Sequence, residues 1–176
     1  MLDVPAEVVV SSDDYKLTMG GGVSAAIRMA AGTALALDAA KAVAREAGDV
    51  VVTTAGALPA RYVFHAVTIG PQQWEDPGAV PDVADIVRRA TRSCLELMRP
   101  LGVRSIVFPA LGTGAAGYPI ADSAAAMADV IYDVLVHATQ AIDVWIILMS
   151  RTLASPMQYL AFTRNSPAVD TWRASQ

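Results

Sequence analysis

Residues 105–119 read SIVFPALGTGAAGYP, an apolar strand that empties into a run of small residues. Ile106, Val107 and Phe108 are β-branched or aromatic, types that fit a pleated, half-buried surface, and Pro109 ends the ladder because it has no N–H to give. In the loop that follows, Gly112, Gly114 and Gly117 alternate with Thr113, Ala115 and Ala116. Glycine admits positive φ, and with no bulky side chains a ligand can approach the peptide N–H groups. Residues 120–137 then take helical spacing. The loop thus stands where a strand hands over to a helix, whose dipole favours negative charge, and the pattern predicts an anion cradle.

Towards the N-terminus, residues 6–10 (AEVVV) predict a first strand, buried on both faces where three valines run together. Ser11, Ser12, Asp13 and Asp14 after it predict a polar loop. Gly20, Gly21, Gly22 and Val23 then open an Ala-rich helix, SAAIRMAAG. Val23 and Ile27 resume helical spacing at once, so this reads as a second strand-to-helix glycine loop and not as a flexible linker. The helix pauses at Gly32, and Thr33 is expected to cap a second one over residues 34–47, with Leu35, Ala39 and Val43 on its core face and Gly48 ending it.

Residues 49–53 (DVVVT) and 61–67 (RYVFHAV) predict strands separated by TAGALPA. His65 alternates among apolar neighbours, which predicts a hydrogen-bonded structural histidine and not a catalytic base. After Gly70 and Pro71, residues 72–82 (QQWEDPGAVPD) predict a long loop of the kind that often borders a site. Pro81 and Asp82 open an amphipathic helix, VADIVRRATRSCLELMRPL, with Arg88, Arg89 and Arg92 on its wet face. Beyond the opening stretch come the helix over 120–137, a strand over 144–149 and a helix near 156–163. One domain over residues 1–164 and a tail over 165–176 are expected. Strands alternating with helices imply a parallel or mixed sheet covered on both faces, with ligands outside the carboxyl ends of the strands. Two glycine loops on that rim would bracket an elongated ligand with a phosphate pair, a nucleotide or nucleotide sugar.

Composition removes other classes. The 176 residues are 54% hydrophobic and 17% charged, with mean hydropathy +0.41, far from disordered chains. A domain of this size buries roughly 70% of its unfolded surface. The longest clean apolar run, residues 144–149, is far short of the ~20 residues of a membrane span. An acid near the start and Glu7 in the apolar run do not fit a signal peptide, so a cytoplasmic protein with no membrane partner is expected. Net charge −4 and pI near 5.0 make nucleic acid an unfavoured partner. Cys94, the one cysteine, falls on the core side of a helical pattern, and with His65 and His137 it forms no metal-ligand cluster; neither metal nor cofactor is expected.

Three segments in order, MGGGVSAAIRMAAG (19–32), TTAGALPARYVFHAV (53–67) and SIVFPALGTGAAGYP (105–119), resemble the macrodomain family of ADP-ribose-binding modules. The resemblance covers most of the chain and implies a three-layer α/β/α sandwich with a central mixed sheet. It implies that Gly20, Gly21, Gly22 and Val23 help hold the diphosphate and proximal ribose. Gly112, Thr113, Gly114, Ala115, Ala116 and Gly117 would close over the diphosphate, with Tyr118 beside the distal ribose. The chain also departs from the family. Where members commonly carry Asn-Ala-Ala-Asn, it has Ser11, Ser12, Asp13 and Asp14. Asp14 thereby falls where an asparagine contacts the distal ribose, and a carboxylate accepts from a hydroxyl but cannot donate. Ser24 stands where the hydrolytic branch has the aspartate of Gly-Val-Asp. The family has an earlier strand and an aspartate that reads adenine; either Asp3 takes that role or the segment is absent.

The resemblance therefore implies a binder of ADP-ribose, free or attached to a protein. The first alternative is an atypical hydrolase of ADP-ribosyl esters with Asp14 as candidate general base. A further one is an interaction module of the same fold without ligand. A dinucleotide oxidoreductase fits poorly, since neither glycine run has G-x-G-x-x-G spacing with a following strand-end acid. Ser150 and Arg151, after the last apolar strand, are placed to cover the base.

Overall fold

The computed structural model describes residues 1–42, 46–76, 78, 81–148 and 158–163. Its organising strand is β1 (Val8–Asp14). Parallel neighbours lie on both sides of it: β3 (Tyr62–Ile69) and β4 (Ser105–Pro109). On the far side of β4 lies β5 (Asp143–Leu148), also parallel, while β2 (Val50–Thr54) and β6 (Gln158–Thr163) run antiparallel at the edges. The six-stranded mixed sheet has the order β2-β3-β1-β4-β5-β6.

The two faces follow from alternation along each strand. Val8 and Val10 of β1, Phe64 and Ala66 of β3, and Ile106 and Phe108 of β4 share one apolar cluster with α4 (Val83–Met98) and α5 (Ile120–His137). Helix α4 buries Val87, Ala90, Cys94 and Met98 at helical spacing. Val9, Val63 and Val107 point the other way and pack with Ile27, Ala31 and Leu35 of α1 (Gly22–Ala31) and α2 (Thr33–Ala39). Helices on both sides of one sheet make the three-layer α/β/α sandwich that the resemblance implied. Burial pushes the Cys94 thiol well above its ordinary range, so it behaves as a small core residue.

Glu7 ties the lower ends of three strands. Its carboxylate accepts from Arg104 N (2.6 Å) and Arg61 Nη1 (3.3 Å), its carbonyl from Arg61 N (2.8 Å), and its own N–H donates to Ser105 Oγ (2.9 Å). The Arg104 N–H, aided by Arg61, holds this carboxyl below its usual value.

Several sequence expectations are corrected. Residues 11–14 are not a loop: β1 continues to Asp14, because Ser11, Ser12 and Asp13 pair in register with His65, Ala66 and Val67 of β3. The second helix begins at Thr33 and ends at Ala39, not at residue 47. Its N-cap is Gly32 at φ +77°, with no side-chain cap bond, so Thr33 is the first helical residue and not the cap. Val43 lies outside the described residues. The stretch taken as a long loop contains a short helix, α3 (Pro71–Glu75), after a Gly70 N–H that donates to Gln73 Oε1 at 2.8 Å. Where a helix was expected near 156–163, residues 158–163 form the edge strand β6, since β5 offers an open ladder that a short isolated segment cannot reveal. Asp82 does cap α4, accepting from Asp85 N at 3.0 Å, and Arg88, Arg89 and Arg92 are exposed on its wet face. Among the described residues, no helix is long and apolar enough to cross a membrane.

Gly56, in the connection between β2 and β3, packs against Ala31 at the end of α1. It has φ +59°, and a Cβ there would run into the Ala31 carbonyl oxygen, which accepts from Ala57 N at 2.9 Å. Gly56→Ala is expected to lower the unfolding free energy by about 2–4 kcal/mol, combining left-handed strain with loss of that bond. Urea denaturation should show a lower midpoint at an unchanged slope; an unchanged midpoint would contradict this packing.

Candidate functional site

Because β1 and β4 are adjacent and parallel, the segments leaving their carboxyl ends emerge on the same rim. They are the two glycine loops. A direct link joins their bases: Ser12 Oγ lies 3.0 Å from Thr68 Oγ1 and accepts from Gly112 N at 3.5 Å. The structure thus brings residues 14–24 and 112–118 to one edge of the sheet.

In the first loop, Asp14 is built into the turn. Its Oδ1 accepts from Lys16 N (2.8 Å) and Thr18 N (3.3 Å), and its Oδ2 from Thr18 Oγ1. Oδ1 is saturated by those two bonds, leaving Oδ2 room for one further donor. The chain then passes through Leu17 at φ +52° and Met19 at φ +49°. A left-handed leucine or methionine costs about 1–2 kcal/mol. Both side chains are buried, Leu17 beside Ala39, Val51 and Val67, and Met19 beside Ile27, Leu35 and Val63. Burying each is worth about 1.5–3 kcal/mol, enough to hold the strained backbone. No sequence pattern marks these two residues, since nothing in the composition signals positive φ outside glycine.

Gly20, Gly21 and Gly22 follow at the exposed surface, and Gly21 is the N-cap of α1. Among the described residues, no acceptor takes the N–H groups of Gly20, Gly21, Gly22, Val23 or Ser24. Helix starts leave such donors unmatched, and this one begins in the loop that leaves β1. Ser24 is buried and donates its hydroxyl to Gly21 O at 2.9 Å, so its side chain braces the loop.

The second loop is closed by its own backbone: Gly117 N donates to Gly114 O and Tyr118 N to Gly112 O, each at 3.0 Å. Thr113 Oγ1 donates to Ala110 O at 2.9 Å. Among the described residues the N–H groups of Thr113, Gly114, Ala115 and Ala116 meet no acceptor. Tyr118 is half-buried against the α4–α5 side of the core. No lysine or arginine occurs within residues 20–24 or 112–118, and Lys16 is the cation of the first loop, so the glycine runs themselves offer an anion only peptide dipoles.

His65 is the satisfied structural histidine that alternation predicted. It is fully buried, with Nδ1 2.8 Å from Asp13 Oδ2 and Nε2 2.9 Å from Thr53 Oγ1. Asp13, Ser12 and Thr68 are site-supporting residues that the sequence reading missed, because their partners lie 50 or more positions away. A cavity of about 410 Å³ lies elsewhere, between Gly70, Pro71 and the first turns of α4, and includes none of the sequence-predicted residues. Ser150 and Arg151 lie outside the described residues, as do the last residues, 164–176. No group of three His, Cys, Asp or Glu side chains converges as a metal site among the described residues.

A mixed sheet covered on both faces, with two glycine loops leaving the carboxyl ends of adjacent parallel strands, defines a three-layer α/β/α domain. Residues 10–127 match the Macro domain family. Over 131 residues the chain is 40% identical to an O-acetyl-ADP-ribose deacetylase of Enterobacter cloacae, covering 72% of this chain and 69% of that protein. The matched span falls to 65% of the length of the corresponding Salmonella proteins. The Oceanobacillus iheyensis macrodomain solved with ADP has TM-score 0.73 and 29% identity, covering 85% of this chain and 80% of that one. The Trypanosoma brucei macrodomain in complex with ADP-ribose has TM-score 0.67 and 31% identity, covering 78% and 55%. The chain belongs to the macrodomain family.

The loop geometry ranks three substitutions. Gly112 has φ +73°, and a Cβ there would sit 3.2 Å from Val83 Cγ1 and 3.3 Å from Val87 Cγ2. Gly22 has φ +57° but open space, and Gly114 has open space without positive φ. Gly112→Ala should therefore cost about 2–3 kcal/mol, Gly22→Ala about 1 kcal/mol and Gly114→Ala under about 0.5 kcal/mol. Denaturation midpoints in any other order would contradict the loop conformations.

Proposed function

We propose that the rim binds ADP-ribose, free or attached to a protein, with its diphosphate held between the two glycine loops. The observation that carries this reading is that the loops leaving two adjacent parallel strands each hold a run of peptide N–H groups without an acceptor among the described residues. Donors of this kind suit phosphate oxygens and need no cation. In this reading Gly20, Gly21, Gly22, Val23 and Ser24 supply amides from one side. Gly112, Thr113, Gly114, Ala115, Ala116 and Gly117 close from the other, and Tyr118 borders the distal ribose. Asp14, with one acceptor site left on Oδ2, takes a ribose hydroxyl. The neighbours solved with ADP and with ADP-ribose support the ligand class.

The similarity to O-acetyl-ADP-ribose deacetylases favours one second reading, hydrolysis of an ester on the distal ribose. Water would add to the acyl carbon, and the ribose oxygen would leave with a proton, giving acetate and ADP-ribose. Asp14 is poorly free to act as base, because its carboxylate already accepts three bonds from its own turn. If the chain hydrolyses such esters, ligand phosphate and loop amides orient the water.

Calorimetry with ADP-ribose is expected to show saturable binding that Gly114→Glu abolishes. A Cβ at Gly114 meets nothing within 4 Å, and the glutamate would set a carboxylate in the proposed diphosphate cradle. An intact chain that does not bind would end the proposal. Incubation with O-acetyl-ADP-ribose separates the readings: acetate release by wild type and by Asp14→Ala alike indicates ligand-assisted hydrolysis, and release by wild type alone gives Asp14 the base role. Release by neither leaves a binder.

A further inference from the structure

The molecule contains a polar chain that the proposed ligand would never touch. Asp13 on β1, His65 on β3 and Thr53 on β2 join side chain to side chain across three adjacent strands. All three are essentially sealed from solvent, Asp13 at 3% exposure, Thr53 at 4% and His65 at 0%. The chain runs between two apolar clusters on the α1–α2 side of the sheet, one holding Met19 and the other Leu17. These are the two left-handed residues of the first glycine loop.

Stability is a poor reason for this arrangement. Apolar residues of similar volume often fill such a buried polar position with no loss of stability. Asp13 Oδ1 and the buried Ser11 Oγ on the same strand face find no partner among the described residues, and an unmatched buried polar atom is a cost. What the chain does supply is position. Asp13 is the last residue before the register of β1 shifts against β3: Asp13 pairs with Val67, but Asp14 pairs with Ile69. At that irregularity Asp14 begins the turn over residues 14–18 and turns its carboxylate to the Lys16 and Thr18 amides. The strained residues follow at once, and strain of this kind persists only where the surroundings over-determine it.

We propose that Asp13 is a positioning residue of the rim: gripped by His65, and through it by Thr53, it fixes the irregularity from which the first glycine loop departs, and so the aim of the Gly20–Gly22 amides. The carboxylate accepts from the Nδ1–H of His65, and the imidazole spans to β2. Asp13 thereby sets loop geometry without meeting the ligand. The inference deepens the ADP-ribose reading, on which its affinity arm rests, while its exchange arm does not need a ligand.

The test uses the full chain with Asp13→Ala, Asp13→Asn and Thr53→Val. Asparagine can still accept from Nδ1–H; alanine cannot. Amide hydrogen exchange without ligand is expected to speed up about tenfold over residues 15–23 in Asp13→Ala, with protection in α5 and β4 retained, and to return near wild type in Asp13→Asn. The ADP-ribose dissociation constant should rise about tenfold in Asp13→Ala and far less in Asp13→Asn, as expected when misplaced groups lose their aim. Thr53→Val, which cuts only the far end, should move both readouts the same way by a smaller factor. Should Asp13→Ala fail to fold, Asp13→Asn and Thr53→Val decide the matter alone. Unchanged protection over 15–23, or protection lost equally across the sheet, overturns the inference. A wild type that does not bind ADP-ribose overturns the functional reading instead, and the exchange result still judges Asp13.

Discussion

Parallel pairing of β1 between β3 and β4 is the constraint on which the rest of the molecule depends. Parallel neighbours have their carboxyl ends on one edge, so what leaves them meets in space although about 100 residues separate the two loops in the chain. Antiparallel pairing of β1 with β4 would have put the glycine loops at opposite ends of the sheet. Parallel strands also need crossovers, and in this chain the connections from β1 to β3 and from β3 to β4 carry helices that cover the two faces. Those helices bury the alternating residues of the strands, so the apolar core and the functional rim arise from the same pairing.

At the rim, side chains and backbone divide the work. Leu17 and Met19 are buried to hold left-handed backbone, Ser24 and Thr113 return hydroxyls to loop carbonyls, and Asp14 binds its own turn. Side chains therefore shape the loops, and the peptide N–H groups of the glycine runs are left without acceptors among the described residues. A site built of peptide dipoles can hold an anion without the side-chain entropy that lysines and arginines lose. It also selects by shape, because the amides are useful only where the backbone aims them.

The departures from the family pattern fall into place in this division. Ser24, which the resemblance sets against an aspartate of the hydrolytic branch, commits its hydroxyl to Gly21 O. Asp13 and Asp14 follow β1 directly, one buried against His65 and the other bound to its turn. Neither carboxylate is a free base at the rim. That arrangement leaves the side chains near the loops engaged in local structure, with one acceptor position open on Asp14 Oδ2.

Much of this was legible in residue order. Runs such as AEVVV and SIVFP name strands because β-branched residues fit a sheet, and the two glycine runs name loops because no other residue so freely takes positive φ. Alternation placed His65 in the core, and helical spacing placed Cys94 there. What remained hidden was everything that depends on a distant partner. The polar run Ser11–Asp14 becomes strand only because β3 offers a ladder and His65 a hydrogen bond, and residues 158–163 become strand only because β5 has an open edge. Leu17 and Met19 take left-handed backbone against their own preference because burial outweighs it. Local chemistry decided which segments extend, coil and bend; the energy of contacts between remote segments, which local order does not contain, decided where they end and what they face.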